Sequence, residues 1–344
     1  MNLMDIRSQK WDERLLAITT PAASQTTETT LGALLGDIAQ PHSVVGRFSS
    51  YFRSRYGFSE KAAIVASSGD NPCSLAGLGL SKDGDVGISL GSSDTMFAVM
   101  SHPRPGAEGH VFVNPVDPDS FFAMLVYENG GVTRELVRDQ FAGGSWADFS
   151  AALARTSPGN GGRMGLYLKD PEITPRISCT GQFFRFQKGK LSAEPSETFT
   201  DPAAEVRAAV EGRLLSMKLH AGRIGILKPR QLIATGGGSK NTQILQIMAD
   251  VFGLDVYVEQ QSDAASFGAA LRAVQALRSV EQGHVVPFDQ ACKGAFRKVI
   301  AAKPNMQAHY LYMSMLPSYE KAESLVVDRC TGTLTPQTDR AVDT

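Results

Sequence analysis

Cysteine is scarce in this chain, with four residues in 344, at positions 73, 179, 292 and 330. No two of them share metal-ligand spacing, which excludes a cysteine-built zinc site, and four scattered thiols read as reduced. The six histidines are equally dispersed, and none pairs at zinc spacing. The sequence contains no Asn-x-Ser/Thr acceptor with a permitted middle residue. It has no apolar signal core at its N-terminus, and no apolar run near the ~20 residues of a membrane span. It also lacks a charge excess: 34 Lys and Arg stand against 35 Asp and Glu, for a net charge of -1. Nothing therefore draws it to nucleic acid or an anionic membrane, and no basic cluster is interleaved with aromatics. These absences point to a cytoplasmic protein acting on small molecules, and they leave its oligomeric state open.

What is present describes a globular α/β chain. Hydrophobic residues make up 42% and charged residues 20%, and the length accommodates two ordinary domains. A short helix is expected at 11–16 and a polar loop at 19–30. A helix is expected at 44–56, closed by Gly57, and a strand at 62–66. Short β-prone runs punctuated by Pro and Asn-Gly-Gly fill 85–127, with helices following at 133–141 and 146–154. Residues 156–202 read as irregular, an insertion over a cleft. Val206, Val210, Leu214 and Met217 recur at helical spacing in 203–221. The order strand 231–234, helix 241–252, strand 256–258, helix 264–277 marks an α/β domain, with Ser262 and Asp263 capping the last helix. A loose polar tail is expected at the C-terminus.

Three turns carry chemical interest. The strand at 62–66 runs into Ser67-Ser68-Gly69-Asp70-Asn71. An aspartate at the C-terminal end of a strand, beside a carboxamide, can orient and deprotonate a polyol hydroxyl; equally, Asp70 can be a helix cap. A second strand enters Gly91-Ser92-Ser93, glycine and small hydroxyls of the kind a phosphate cradle needs; this can also be an ordinary hairpin turn. The third turn, Thr235-Gly236-Gly237-Gly238-Ser239-Lys240-Asn241, lies between a buried strand and an amphipathic helix. It leaves bare backbone and free helix-end amides for a flat ligand to lie on, or serves structure alone. Trp146 follows Gly143-Gly144 and reads as a core aromatic or as the wall of an adenine pocket. Asp328-Arg-Cys-Thr-Gly-Thr333 resembles a phosphoaspartate motif but has an extra residue and follows no buried strand.

In order, these segments resemble the FGGY carbohydrate kinases. The resemblance rests on Met1-Asn2-Leu3-Met4-Asp5-Ile6, Gly69-Asp70-Asn71, Ser89-Leu90-Gly91-Ser92-Ser93-Asp94-Thr95, Asn160-Gly161-Gly162, Glu172-Ile173-Thr174-Pro175 and Ala234-Thr235-Gly236-Gly237-Gly238-Ser239-Lys240-Asn241. It covers roughly 1–275 and favours the branch acting on D-xylulose. It implies an α/β, actin-like (ribonuclease H-like) ATPase fold, with the active site in a cleft that closes to exclude water. Asp70 would be the base taking the proton from the sugar hydroxyl as it attacks the γ-phosphate, and Asn71 would hydrogen-bond the open-chain ketose. Gly91, Ser92 and Ser93 would face the β/γ-phosphates. Trp146, Gly237, Gly238 and Asn241 would hold the adenosine of ATP, with Mg2+ bridging the phosphates. No protein metal ligand is assigned.

The departure from the family is at the beginning. Its members open with an Asp-x-Gly-Thr-type phosphate loop, which has no counterpart here, and Met1 aligns with an internal methionine. The expectation is a truncated first domain (1–80), a complete second domain (81–325) and a loose tail (326–344). The strand at 62–66 would be left without neighbours, and activity would be impaired by the missing charge stabilisation. The alternatives are a non-catalytic nucleotide- or sugar-binding protein, or a kinase for another sugar or polyol.

Overall fold

The computed structural model describes residues 3–20, 31–192, 197–259 and 263–332. The chain forms two compact units. The smaller comprises Met1–Ser81, Val111–Phe121 and Asp263–Ala295; the larger comprises Lys82–His110, Phe122–Ser262 and Phe296–Thr344. Ser262 and the segment 333–344, both named in the sequence reading, lie outside the described residues.

In the smaller unit, Asp12 caps the helix Glu13–Thr19 by accepting from the Leu15 N–H at 3.0 Å. The expected helix over 44–56 is divided. Val44–Arg47 is a strand, and only Ser50–Tyr56 is helical, ending at Gly57 in the left-handed region. The β-branched pair Val44-Val45 favours extended backbone, and its partner is the strand Ala63–Val65, antiparallel to it. That strand is thus paired, contrary to expectation, although Val45 remains 54% and Ile64 37% exposed. The helix Asp70–Gly77 follows directly. Buried Arg272, on the helix Ala264–Gln282, donates to the carbonyls of Pro41, Ala66 and Pro115 at 3.2–3.3 Å, tying three segments together. Asp263 caps that helix, accepting from the Ser266 N–H at 3.0 Å.

The larger unit is built on a mixed sheet. Its strands run in the order Lys298–Ala302, Val256–Glu259, Gln231–Thr235, Asp85–Leu90, Asp94–Met100 and Asp117–Tyr127, the last entering this unit at Phe122. Gln231–Thr235 lies parallel to both Asp85–Leu90 and Val256–Glu259. Val86, Ile88, Leu232 and Ile233 are fully buried, as expected of central parallel strands. Residues 156–202 are not irregular throughout. Arg163–Leu168, Gln182–Gln187 and Lys190–Leu191 form a three-stranded antiparallel sheet, on which Phe184 and Phe186 are buried.

The helix Pro202–Arg223 is buried on nearly every side, including its polar residues, and each of these has a partner. Glu205 pairs with Arg185 at 2.6 Å, Glu211 with Arg207 at 2.8 Å, and Ser216 donates to Glu323 at 2.9 Å. Unpaired charges here would be prohibitively costly. His220, fully buried, sits between Glu108 and Glu323, the latter at 2.9 Å. Arg223 stands 3.9 Å from Glu108 and 3.7 Å from Glu323, and the Tyr127 ring packs against the imidazole edge. Burial alone would lower the imidazole pKa, but hydrogen bonds to the two carboxylates, and their charges, outweigh it and raise the pKa. A histidine raised above its unfolded value of about 6.5 stabilises the fold fully below that pH, and the contribution is lost as pH climbs through the folded value. The melting temperature is therefore expected to fall as pH rises above about 6.5. His220→Gln should flatten that slope; an equally steep slope in the variant would assign it to other groups.

The helix Met306–Thr331 runs through the point where a loose tail is expected, burying Tyr312, Tyr319, Ala322 and Val326 before ending at Gly332. Cys330 near its end is disulfide-bonded to Cys179, so the reading of four reduced thiols is corrected. Cys73 and Cys292 are free and buried, and burial pushes the Cys292 thiol up to about 11. Alkylation of denatured, unreduced protein should label Cys73 and Cys292 alone, and all four cysteines after reduction. Four labels without reduction would refute the pairing.

Candidate functional site

Two of the chemically suggestive turns leave adjacent parallel strands at the same edge of the sheet. Ser89 is in register with Thr235, so the turn at 91–93 and the turn at 236–238 emerge side by side at the strands' C-terminal ends. In open α/β sheets this edge is where ligands bind. The turns are packed tightly together. Gly236 has φ +81°, and a Cβ there would lie 2.7 Å from the Leu90 carbonyl oxygen. At Gly238 a Cβ would lie 2.8 Å from Leu90 Cβ. Gly237 differs from both: nothing lies within 4 Å of its Cβ position.

That open space belongs to a cleft of about 750 Å³ lined by Gly91, Ser92, Trp146, Gly237, Gly238 and Asn241, together with Leu90, Arg134, Lys240 and others. The volume is in the range of small-molecule sites. Trp146 opens the helix Trp146–Arg155, which Ser145 caps, and its ring is 43% exposed rather than in the core. The Arg138 guanidinium lies 4.7 Å from the ring centroid, a cation-π contact. Ser93 belongs to the same turn as Ser92 but is not among the lining residues.

Asn241 lines the cleft, yet its side chain is committed elsewhere. Its Oδ1 accepts from the Gln243 and Ile244 N–H groups at 3.0 and 3.2 Å, capping the helix Thr242–Phe252. Its Nδ2 donates to Ser150 Oγ at 2.8 Å. Any contact it makes with a ligand would thus come second to holding the glycine turn in place.

Asp70 and Asn71 lie in the smaller unit, in the first turn of the helix Asp70–Gly77, with Gly69 as the N-cap residue. The exposed Asp70 carboxylate accepts from the Asn71 N–H at 2.8 Å. The helix N-terminus favours negative charge at that position. Among the described residues, no three His, Cys, Asp or Glu side chains cluster as metal ligands, and no helix is long and apolar enough to cross a membrane.

Sequence reasoning passed over Asp94 and Arg134. They are separated by 40 residues yet form a buried ion pair behind the 91–93 turn. No local spacing signals a contact between residues so far apart.

Residues 86–277 match the FGGY family of carbohydrate kinases, C-terminal domain. The chain belongs to the FGGY family. It is 39% identical over 329 residues to a xylulose kinase of Mus musculus, covering 95% of this chain and 56% of that protein. Its identity to xylulose kinase 2 of Arabidopsis thaliana is 42% over 302 residues, 86% of this chain and 52% of that protein. This FGGY chain therefore spans about half the length of the curated relatives it matches. Its backbone resembles a ligand-bound xylulose kinase from Lactobacillus acidophilus, with a TM-score of 0.77 at 18% identity, over 96% of this chain and 64% of that one. A Plasmodium falciparum glycerol kinase with ADP matches with a TM-score of 0.68 at 17% identity, over 94% of this chain and 61% of that one. The actin-like α/β fold of FGGY sugar kinases, expected from the sequence, is the fold found.

Proposed function

We propose that this chain binds ATP in the cleft of its larger unit and takes part in phosphorylating D-xylulose to D-xylulose 5-phosphate. One observation carries the nucleotide reading: two glycine turns leave adjacent parallel strands side by side, with an exposed tryptophan on the same cleft. Gly237 offers open backbone to the adenosine, and Trp146 offers an aromatic surface. The 91–93 turn presents the Ser92 and Ser93 N–H groups, neither of which meets a protein acceptor among the described residues. Unpaired peptide N–H groups in a turn suit phosphate oxygens. No side chain of this chain is assigned to Mg2+; brought in with the nucleotide, the ion would supply neutralisation of phosphate charge during transfer.

The sugar reading rests on the relatives and on Asp70. As the ketose hydroxyl attacks the γ-phosphorus, its proton passes to the Asp70 carboxylate, the O–P bond forms and ADP leaves. Asn71 donates to the sugar's oxygens. The choice of D-xylulose follows the names of relatives at 39–42% identity.

The test is ADP formation by the purified 344-residue chain with ATP, Mg2+ and D-xylulose, against controls with no sugar, glycerol or gluconate. Turnover dependent on D-xylulose supports the reading. Turnover only with another acceptor moves the substrate. ATP binding by folded protein without turnover favours the binding-only alternative.

A further inference from the structure

The Asp94–Arg134 pair is nearly solvent-free, with side-chain exposures of 0% and 8%. Its geometry is a two-pronged fork. Arg134 Nη1 donates to Asp94 Oδ2 at 2.6 Å and Nη2 to Oδ1 at 2.9 Å. Nη2 also reaches the Gly91 carbonyl oxygen at 3.3 Å. Arg134 sits in the first turns of the helix Gly131–Phe141, whose opening N–H groups are spent on the same turn. Gly131 N–H donates to Gly91 O at 2.9 Å, and Val132 N–H donates to Ser92 O at 3.1 Å. The approach leaves no room for side chains: a Cβ on Gly131 would lie 2.3 Å from Gly91 O, and one on Gly130 would lie 2.5 Å from Asp94 N.

These bonds dictate where the turn's own donors point. In a trans peptide the C=O and the following N–H face opposite ways. Pinning the Gly91 and Ser92 carbonyls to the helix therefore turns the Ser92 and Ser93 N–H groups away from it. Gly91 and Ser92 line the cleft.

We propose that Asp94 and Arg134 are positioning residues that fix the 91–93 turn with its N–H groups presented to the phosphates of a bound nucleotide. The proposal rests on the nucleotide reading of the cleft and adds a division of labour. The ion pair governs affinity for the phosphates, while Trp146 and Gly237 govern affinity for the nucleoside. Lysine does not reproduce the arginine here, because its compact ammonium lacks the planar fork that pairs both carboxylate oxygens in parallel.

The test titrates the whole chain with ATP, ADP and adenosine by calorimetry, in wild type, in Arg134→Lys and in the doubly neutral Asp94→Asn/Arg134→Gln. The lysine variant keeps the charge pair and loses the fork. The double variant removes both charges, so neither is left buried alone. Melting curves establish which variants are folded. Folded variants should lose at least about ten-fold in ATP and ADP affinity while adenosine affinity stays within about two-fold. An unchanged ratio of ATP to adenosine affinity would overturn the positioning role while leaving the nucleotide site standing. Wild type that bound neither ATP nor adenosine would overturn the nucleotide reading, and this proposal with it. Hydrogen exchange in the ligand-free lysine variant supplies a readout independent of binding. Faster exchange of the peptide spanning 91–93 is expected, and unaltered exchange would count against the pair as the turn's anchor.

Discussion

Gly237→Val is expected to weaken ATP binding by at least about ten-fold, or ~1.4 kcal/mol, with little change in melting temperature. The reason lies in the contrast among three consecutive glycines. Gly236 and Gly238 are held against Leu90, and a Cβ at either would meet heavy atoms at 2.7 and 2.8 Å. Substituting them should cost the fold about 1–3 kcal/mol, whatever binds in the cleft. Gly237 has no atom within 4 Å of its Cβ position and does not need positive φ. The Cβ of a valine there meets no protein atom and projects into the cleft, where the side chain would hold off any flat group lying on the backbone. ATP titration of Gly237→Val beside thermal melts of Gly236→Ala separates the two roles. Unchanged ATP affinity in Gly237→Val would show that the turn is structural only.

The parts of this protein that were legible in the sequence depend on local rules. The turn at 236–238 lies between a run of buried-type residues and a helix with a strong apolar face, and its neighbours confirm it as a strand-to-helix junction. Gly57 and Asp263 terminate their helices as glycine and aspartate do in general. What escaped depends on partners distant in sequence. Val44–Arg47 becomes a strand because Ala63–Val65 is there to pair with it. Cys179 and Cys330 lie 151 residues apart, and no spacing rule joins them. The helix Met306–Thr331 carries polar residues that suggest a loose tail, yet it buries Tyr319 and Val326 and contributes Glu323 to the ring around His220. Asp94 could be noticed only as part of a small polar turn, because its ion-pair partner, Arg134, lies 40 residues away in the next helix. The same limit explains why the small-residue turn at 91–93 stood out in the sequence and the buried Asp94–Arg134 pair behind it did not.

Asp70→Asn is expected to lower sugar-dependent ADP formation by about 10²–10⁴-fold while leaving both the fold and ATP affinity intact. The fold should survive because Asp70 is exposed, begins a helix that Gly69 already precedes, and among the described residues pairs only with the adjacent Asn71 N–H. Asparagine keeps the side-chain oxygen for that bond and remains a good residue near a helix start, so the stability change should fall within about 0.5 kcal/mol. ATP affinity should survive because Asp70 belongs to the smaller unit, whereas the cleft proposed for ATP is lined by residues of the larger one. What is lost is proton acceptance, since a carboxamide is the same shape as the carboxylate and cannot take a proton from an alcohol at neutral pH. Measuring turnover, ATP affinity and melting temperature on the same preparation separates these effects. Retained turnover would remove Asp70 from the role of base. Turnover lost together with ATP binding would make the substitution a perturbation of the nucleotide site, and a different acidic residue would have to carry the proton.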